Sequence, residues 1–362
     1  MSGASSSGAA NHQYGVYVHI PFCAHRCDYC AFATWTDRHH LQSAYAAACR
    51  REILGADLPP ATSVFFGGGT PSLMQPETLA SILQVVERAP DAEVTVECNP
   101  DTVDEQLLEV YVEAGVNRLS FGVQSMVPSV LRTLGRTHDP GNVERCAALA
   151  ERAGFITWNL DLIYGAAGES SSEWQQTLDL ALALDPPHLS AYALTVEAGT
   201  PLAADASRHP DDDDQADKYL TLGAACDAAG LDSYEISNWA KPGHECRHNQ
   251  LYWQQGAYRG IGCAAHSHEA GRRWWNVRTP DRYIDAIEAG ASAVGGEEIL
   301  DVEGQRVEAL QLALRTRTGV PADALHAKDR DQLGDLLVAH GDRLVLTPRG
   351  RLLANEVAAR LR

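Results

Sequence analysis

The chain has 362 residues, 45% of them hydrophobic, which predicts a folded protein with one large domain and one or two small ones. Its 48 acidic and 29 basic residues give a net charge of −19, and this charge argues against nucleic acid or an anionic membrane as a partner. Residues 1–13 are small and polar, without the apolar core of a signal peptide. We therefore expect a disordered leader on a cytoplasmic protein.

Three cysteines follow the first predicted strand, YGVYVHI, at Cys23, Cys27 and Cys30. The C-x3-C-x2-C spacing is too tight for a disulfide framework and is typical of thiolates that converge on one metal centre. Zinc is one possibility, with His19 or His25 as its fourth ligand. The other is a [4Fe-4S] cluster, in which three thiolates leave one iron open to a chelating ligand such as S-adenosylmethionine (SAM). The spacing favours the cluster.

Strands then alternate with helices, which predicts a parallel sheet of about six βα units, fewer than the eight of a closed barrel. Polar residues lie near the carboxyl ends of these strands, where parallel α/β folds build their sites. The predicted strands are Val64–Phe66 and residues 93–100, 117–125, 157–165 and about 189–195, and the predicted helices are Leu41–Leu54, Pro76–Arg88, Glu105–Ala114, Pro140–Ala153 and Ser172–Leu184.

Gly67, Gly68 and Gly69 directly follow the strand Val64–Phe66. Such a run is either a flexible turn or a place where bare N–H groups approach a ligand. Its position after a strand, in a chain with this cysteine loop, favours the ligand.

The alternation ends after Gly230. Residues 233–277 are rich in aromatic residues, histidine and glycine, and lack a clear period, which predicts a functional segment or a cap. From residue 297 the pattern predicts helices over 303–316, 321–327 and 330–341, then a strand, a turn at Pro348–Gly350 and a final helix. This order favours a winged-helix-like module whose charge gives no reason to expect DNA binding.

Six segments, taken together and in order, resemble the radical SAM family of oxygen-independent coproporphyrinogen III oxidases (HemN) and their relatives. They are YVHIPFCAHRCDYCAF, FFGGGTPS, ECNP, RLSFGVQS, LGRTH and DLIYG. The resemblance extends from about Tyr14 to the C-terminal module. It implies an α/β fold with a partial (β/α)6 radical SAM barrel at 14–232, a connecting region at 233–296 and the winged-helix-like module at 297–362.

Two features separate the branches of this family. The oxidase branch carries a fourth cysteine and a longer N-terminal arm, whereas this chain has Phe32 at that position and 22 residues before Cys23. The segment HNQLYW, His248–Trp253, matches the HNxxYW signature of the HemW-type heme chaperone branch. The resemblance thus implies a chaperone that binds heme and delivers it to acceptor hemoproteins, possibly respiratory enzymes, without coproporphyrinogen III oxidase activity. A radical SAM decarboxylase of coproporphyrinogen III or a related tetrapyrrole is the alternative, and a protein with only structural zinc is a third.

The resemblance also implies roles for individual residues. Tyr17 would contact SAM, Tyr29 would pack near its adenine, and Glu97 would lie near its ribose, where a carboxylate can accept from both hydroxyls. The implied SAM-site residues are Tyr17, Tyr29, Gly68, Gly69, Thr70, Glu97, Gln124, Arg136 and Asp161, and the implied cluster ligands are Cys23, Cys27 and Cys30. An electron donor for the cluster and a homodimer are further expectations.

The heme site is less defined by the sequence. Heme iron accepts an imidazole or a thiolate, and aromatic faces suit the porphyrin. The signature favours His248 as the ligand, with Cys246 as a weaker candidate. The segment also offers His244, Cys263, His266 and His268, with Trp239, Tyr252, Trp253, Trp274 and Trp275 as flat apolar surface.

Overall fold

The computed structural model describes residues 13–136 and 138–361. The expected leader therefore lies outside the described residues, except for Gln13. Within those ranges, no helix is both long and apolar enough to cross a membrane.

Six strands alternate with helices over the first two thirds of the chain, and each strand is parallel to the next. This confirms the predicted α/β alternation. The strands are β1 (Tyr14–Ile20), β2 (Ala61–Gly68), β3 (Arg88–Cys98), β4 (Arg118–Gln124), β5 (Thr157–Tyr164) and β6 (His188–Ala193). The helices are α1 (Gln42–Gly55), α2 (Pro76–Leu83), α3 (Glu105–Ala114), α4 (Pro128–Thr133), α5 (Gly141–Arg152), α6 (Ser171–Leu182) and α7 (Asp212–Ala228).

Local capping explains why the predicted bounds of α3 match the structure. The Asp104 side chain accepts the Leu107 N–H at the start of α3, and Gly115 ends the helix with a φ of +92°. Helix α6 begins with a reciprocal capping box between Ser170 and Glu173. The predicted helix over 76–88 is too long, because α2 ends at Leu83 and Arg88 already begins β3.

The two faces of the sheet differ in polarity, as the two-residue period of a strand requires. On β3, Val94, Val96 and Cys98 face the helices and join the apolar core. Glu93, Thr95 and Glu97 alternate with them and face the other side. Strands β4 to β6 repeat this alternation, with Arg118, Ser120, Asn159, Asp161, His188 and Ser190 on the polar side. We call this polar side the inner face.

Residues 230–300 lengthen the sheet at both edges. Their elements are β7 (Asp232–Ser233), β8 (Asn238–Ala240), α8 (Arg247–Trp253), β9 (Ala257–Ile261), β10 (His266–Glu269), β11 (Arg272–Asn276), α9 (Pro280–Glu288) and β12 (Val294–Ile299). The strand order is β12-β11-β10-β9-β1-β2-β3-β4-β5-β6-β8-β7. Since β1 pairs with β9 and β6 pairs with β8, the six parallel strands remain an open sheet. The expected irregular segment therefore contains short elements, which at two to seven residues each are too brief for a period to reveal.

The last 60 residues have their own apolar core, which includes Leu310, Val320, Leu333 and Leu346. Their elements are α10 (Val302–Ala313), β13 (Val320–Pro321), α11 (Ala327–Leu333), β14 (Leu337–His340), β15 (Arg343–Leu346), α12 (Pro348–Leu352) and α13 (Ala354–Arg360). Strands β13, β15 and β14 form a small antiparallel sheet in that order.

Three predictions in this module are wrong. Residues 321–327 are not a helix, because Pro321 pairs with Arg343 in the small sheet and a turn follows it. The helix predicted over 330–341 ends at Leu333, where Gly334 takes a φ of +45°, and its last residues form β14. The turn predicted at Pro348–Gly350 is the start of α12, capped by the Thr347 side chain.

Candidate functional site

The cysteine loop connects β1 to α1 and is fastened at both ends. The Cys23 N–H donates to the Trp35 carbonyl at 3.1 Å, and the Trp35 N–H donates to the Pro21 carbonyl at 2.8 Å. In the middle of the loop, the Asp28 N–H donates to the Leu134 carbonyl at 3.3 Å. The loop is therefore held in one conformation before any metal binds.

Two of the three thiols accept hydrogen bonds from side chains outside the cysteine loop. The Thr70 hydroxyl donates to Cys23 Sγ at 3.7 Å, and Arg136 Nη1 donates to Cys27 Sγ at 3.6 Å. Burial raises the pKa of the Cys23 and Cys30 thiols. A nearby guanidinium compensates for the negative charge that thiolates bring to a buried site.

The donor set fits a cluster better than zinc. The nine cysteines all lie in the described residues and are free thiols. Among those residues, no three His, Cys, Asp or Glu side chains converge closely enough for one metal ion. His19, one of the two proposed zinc ligands, is committed elsewhere, with Nε2 at 2.9 Å from the Ala33 carbonyl and Nδ1 at 3.0 Å from the Tyr17 hydroxyl. His25, the other, is exposed on the loop. A cluster held by three thiolates needs no fourth side chain, and its thiolates do not have to converge on one metal ion.

The glycine run packs directly against the cysteine loop. A Cβ on Gly69 would lie 2.7 Å from the Phe22 carbonyl oxygen and 3.0 Å from Cys23 Sγ, and a Cβ on Gly68 would lie 2.4 Å from the His19 ring. The expectation of bare N–H groups is wrong. The N–H groups of Gly68, Gly69 and Thr70 donate to Glu97, Ile20 and Phe22. The glycines are needed for close approach to the cysteine loop, not for free donors.

Two carboxylates lie together on the inner face. Glu97 Oε2 accepts the Gly68 N–H at 3.0 Å, and Asp161 accepts the Ser120 hydroxyl and the Asn159 amide, each at 2.8 Å. Burial, and then repulsion from Asp161, raises the pKa of Glu97 to about 8. Burial also raises the pKa of Asp161. Glu97 therefore holds a proton at neutral pH until a cation or a ligand changes its surroundings.

Arg136 connects the cluster loop to the carboxyl end of β4. Its Nη2 donates to the Gly122 carbonyl at 2.6 Å while its Nη1 donates to Cys27. Gln124 lies beside it, because a Cβ on Gly122 would be 3.1 Å from Gln124 Nε2 and 3.4 Å from Arg136 Nη2. Gln124 has a φ of +63°, the left-handed turn that ends the strand.

The two tyrosines lie on opposite sides of this group. Tyr17 is on the inner face of β1, stacked on Phe65 at 6.3 Å between ring centroids, and burial followed by the Glu97 carboxylate raises its pKa. Tyr29 packs against the apolar residues Val127, Val130 and Leu134. Burial and then Cys27 raise the pKa of its hydroxyl. Gly69, Thr70 and Arg136 thus contact the cysteine loop, and Glu97 and Asp161 lie together on the inner face next to Gly68, while the role of these residues in binding SAM stays a prediction.

His248 occupies a different place from the one expected of a heme ligand. It is fully buried, with Nδ1 at 2.8 Å from the Ser63 hydroxyl and Nε2 at 2.9 Å from the Tyr252 hydroxyl. Its ring stacks on Phe65 at 5.4 Å, and burial lowers its pKa to about 3. With both nitrogens hydrogen-bonded and no solvent access, its geometry is that of a core histidine, while its role as a heme ligand stays a prediction that no contact here supports.

Sequence reasoning missed a chain of polar contacts that extends from this site along the inner face. Asn159 donates to Asp161, and its Oδ1 lies 2.7 Å from His188 Nδ1. His188 Nε2 lies 2.8 Å from the Tyr234 hydroxyl, which accepts the Cys246 N–H at 3.4 Å. The alternation of polar residues on β4 to β6 was the available signal, since it places these side chains on one face.

Comparisons with known proteins agree with the fold. Residues 17–181 match the model of the radical SAM superfamily. The fold is shared with coproporphyrinogen III oxidase (HemN) from Escherichia coli, a radical SAM enzyme, at a TM-score of 0.84 and 21% identity, over 97% of this chain and 90% of that one. The fold and the three-cysteine loop define a radical SAM protein, and membership of this superfamily implies a [4Fe-4S] cluster and SAM.

Two curated relatives show to which family within this superfamily the chain belongs. The heme chaperone HemW of Mycobacterium tuberculosis strain H37Rv is 43% identical, over 96% of this chain and 94% of that protein. The heme chaperone HemW of Bacillus subtilis is 33% identical, over 94% of this chain and 97% of that protein. The chain belongs to the HemW family of heme chaperones.

Proposed function

We propose that this chain binds heme and delivers it to acceptor hemoproteins, on a radical SAM scaffold that also holds a [4Fe-4S] cluster and SAM. The observation that carries the proposal is the 43% identity to a heme chaperone over nearly the whole of both chains. The position of Phe32 supports it, since this side chain is 65% exposed at the place where the oxidase branch has a fourth cysteine.

We assign the cluster to Cys23, Cys27 and Cys30. When bound, the cluster supplies a single electron to SAM. The part of the protein is to fasten the loop, to place Arg136 against the Cys27 sulfur and to leave one iron without a side chain. The exposed side of the loop, which includes Phe32, would be the place where an electron donor approaches.

We assign SAM to the group formed by Gly68–Thr70, Glu97, Gln124, Arg136 and Asp161, flanked by Tyr17 and Tyr29. Glu97 Oε2 is used by Gly68, so Oε1 is the oxygen left for a ribose hydroxyl. Exclusion of water by the surrounding strands would strengthen each polar contact with the ligand.

The C-terminal module is proposed to be a winged-helix-like unit beginning near residue 297, after a connecting region that begins near 233. Its separate apolar core and small sheet support this division. Arg351 joins it to α7 by donating to the Tyr219 hydroxyl at 3.0 Å, and to the connecting region by donating to the Glu235 carbonyl at 2.7 Å. A reducing compartment, the cytoplasm, is proposed because the nine cysteines are free thiols.

The runner-up function is oxidative decarboxylation of coproporphyrinogen III or a related tetrapyrrole. It is supported by two contacts among the residues of the implied SAM and cluster sites, Gly68 with Glu97 and Arg136 with Cys27. The test compares heme transfer and porphyrinogen turnover in one anaerobically reconstituted preparation. Heme transfer to an apo-hemoprotein without turnover supports the chaperone, and turnover without heme binding contradicts it. A homodimer is a further proposal, which sedimentation with and without cluster and heme would test.

A further inference from the structure

The six side chains that could ligate heme iron in residues 233–277 differ in their availability. Cys246 and Cys263 are fully buried, and their sulfurs lie against Glu93 and the Tyr45 hydroxyl. His248 is buried with both ring nitrogens bonded. A side chain that ligates heme iron must be accessible to the whole porphyrin, which is several side chains wide. Cys246, His248 and Cys263 therefore cannot bind iron unless part of the core unfolds.

The remaining three are histidines. His244 Nδ1 lies 2.9 Å from the Thr157 hydroxyl, and His268 is 5% exposed with Nδ1 at 3.0 Å from the Gly256 carbonyl. His266 is exposed, and its ring forms no hydrogen bond with any described residue. Burial, and then Arg273, lowers its pKa, which favours the neutral imidazole that binds metals.

His266 is on the same face as the SAM-site residues. Strand β9 extends the sheet beside β1, and β10 pairs with β9 through His268 and Tyr258. Tyr258 contacts Tyr252 of α8 at 4.7 Å between ring centroids, which places these side chains on the inner face. His266 is also near His19 on β1: burial is the main cause of the lowered pKa of His19, and His266 lowers it further. His19 bonds the cysteine loop at Ala33.

The surface around His266 is flat. Across the strands, His266 pairs with Trp275 and Trp275 pairs with Gly296. The His266 and Trp275 rings lie 5.6 Å apart at 30°, and a Cβ on Gly296 would lie 2.6 Å from the indole. The row of residues His266, Trp275 and Gly296 across the three strands therefore carries one imidazole and one indole, and Gly296 adds no side chain. Arg273, two residues before Trp275, is paired with Glu298 at 2.9 Å and with Glu308 at 2.6 Å, so its charge beside the row is already balanced.

We propose that His266 is an axial ligand of heme and that Trp275 positions its imidazole. This inference rests on the proposed function. His266 would supply an imidazole nitrogen to the iron, and Trp275, whose ring lies 5.6 Å from the imidazole at 30°, would restrict the rotation of that ring. Both residues lie on strands beyond β9, and His266 is exposed there.

The test is a titration of the purified chain with ferric heme, read by absorption and electron paramagnetic resonance spectra. His266→Ala should lose the imidazole-ligated spectrum and weaken binding by about tenfold or more. Added free imidazole should restore the spectrum in this variant. Trp275→Leu should keep the ligand spectrum but bind more weakly, because the imidazole is less restricted.

The matched control is His340→Ala, an exposed histidine on β14 of the C-terminal module, which should behave as the wild type. Wild-type binding with an unchanged spectrum in His266→Ala would overturn this assignment and leave the proposed function standing. Failure of the wild type to bind heme would overturn both. A folded His248→Ala variant that loses the imidazole spectrum, while His266→Ala keeps it, would also overturn the assignment.

Discussion

The carboxylate of Glu93 holds the first turn of the helix that carries His248. Glu93 Oε1 accepts the His248 N–H at 3.1 Å, and Oε2 accepts the neighbouring Arg247 N–H at 3.0 Å. A negative charge at a helix N-terminus is favourable. Together with the contacts of His248 to Ser63 and Tyr252, these two bonds hold the HNQLYW segment against β2 and β3.

This role predicts that His248→Ala destabilises the fold. The change removes two hydrogen bonds, leaves the buried Ser63 hydroxyl without its partner and opens a cavity beside Phe65. We expect a loss of about 2–4 kcal/mol in the free energy of unfolding, measured by urea denaturation of the metal-free protein. His340→Ala, at an exposed position, should change it by less than about 0.5 kcal/mol. Equal stability of the two variants would contradict the structural role.

The cluster ligands predict a selective loss of iron. Replacing Cys23, Cys27 or Cys30 with alanine should abolish the brown chromophore after anaerobic reconstitution, because two thiolates cannot hold the cluster. Cys49→Ala should retain it, because this fully buried thiol lies on α1, away from the loop. The measurements are the absorption spectrum and iron and sulfide analysis. Stoichiometric zinc without iron in the wild type would contradict the assignment.

The contact between Arg136 and Cys27 predicts an effect on the reduction potential of the cluster. A positive charge beside a thiolate favours the more negative, reduced cluster, so Arg136→Gln should lower the potential. Arg132→Gln on α4 is the control, because Arg132 is exposed. A redox titration followed by electron paramagnetic resonance compares them, and equal potentials would mean that the guanidinium does not act on the cluster.

Glu97 predicts both a ligand effect and a pH effect. Glu97→Ala should weaken SAM binding by about 1–3 kcal/mol in calorimetry, because a buried ribose hydroxyl loses its acceptor. The raised pKa, about 8 against a usual 4.5, means that the folded state holds a proton that the unfolded state releases between these values. The stability of the metal-free protein should therefore fall as pH rises from about 4.5 to 8.

The pKa of Asp161 is raised by burial, so Asp161 acts in the same direction, and the Tyr17 hydroxyl faces Glu97 as well. Glu97→Gln isolates the contribution of Glu97, because the amide does not titrate while its neighbours remain. Denaturation at pH 5.5 and pH 8 should show a smaller difference in this variant than in the wild type. An identical difference would show that Glu97 has an ordinary pKa.

The sequence predicted local features well and distant partnerships poorly. Helix α3 has its predicted bounds because Asp104 and Gly115 are capping signals inside the segment itself. The spacing of the three cysteines is likewise contained in one short segment, so it can be read from the sequence directly. The contacts of His248 could not be predicted, because its partners, Ser63 and Glu93, are more than 150 residues away, so only the folded sheet shows that the imidazole is already bonded. The helix predicted over 321–327 failed for the same reason, since Pro321 pairs with Arg343.

The last prediction concerns the reaction that this chain should not perform. Supplied anaerobically with SAM, a reductant and coproporphyrinogen III, the reconstituted protein should form no protoporphyrinogen IX, whereas HemN from Escherichia coli, which shares the fold, should do so in a parallel assay. Phe32 is an exposed phenylalanine where the oxidase branch has a cysteine. The same preparation should take up heme and lose it to an apo-hemoprotein, followed by the absorption spectrum of the acceptor. Because one sample undergoes both assays, an inactive preparation is recognised by its lack of heme uptake. Sustained turnover of coproporphyrinogen III would instead establish the decarboxylase and remove the chaperone proposal.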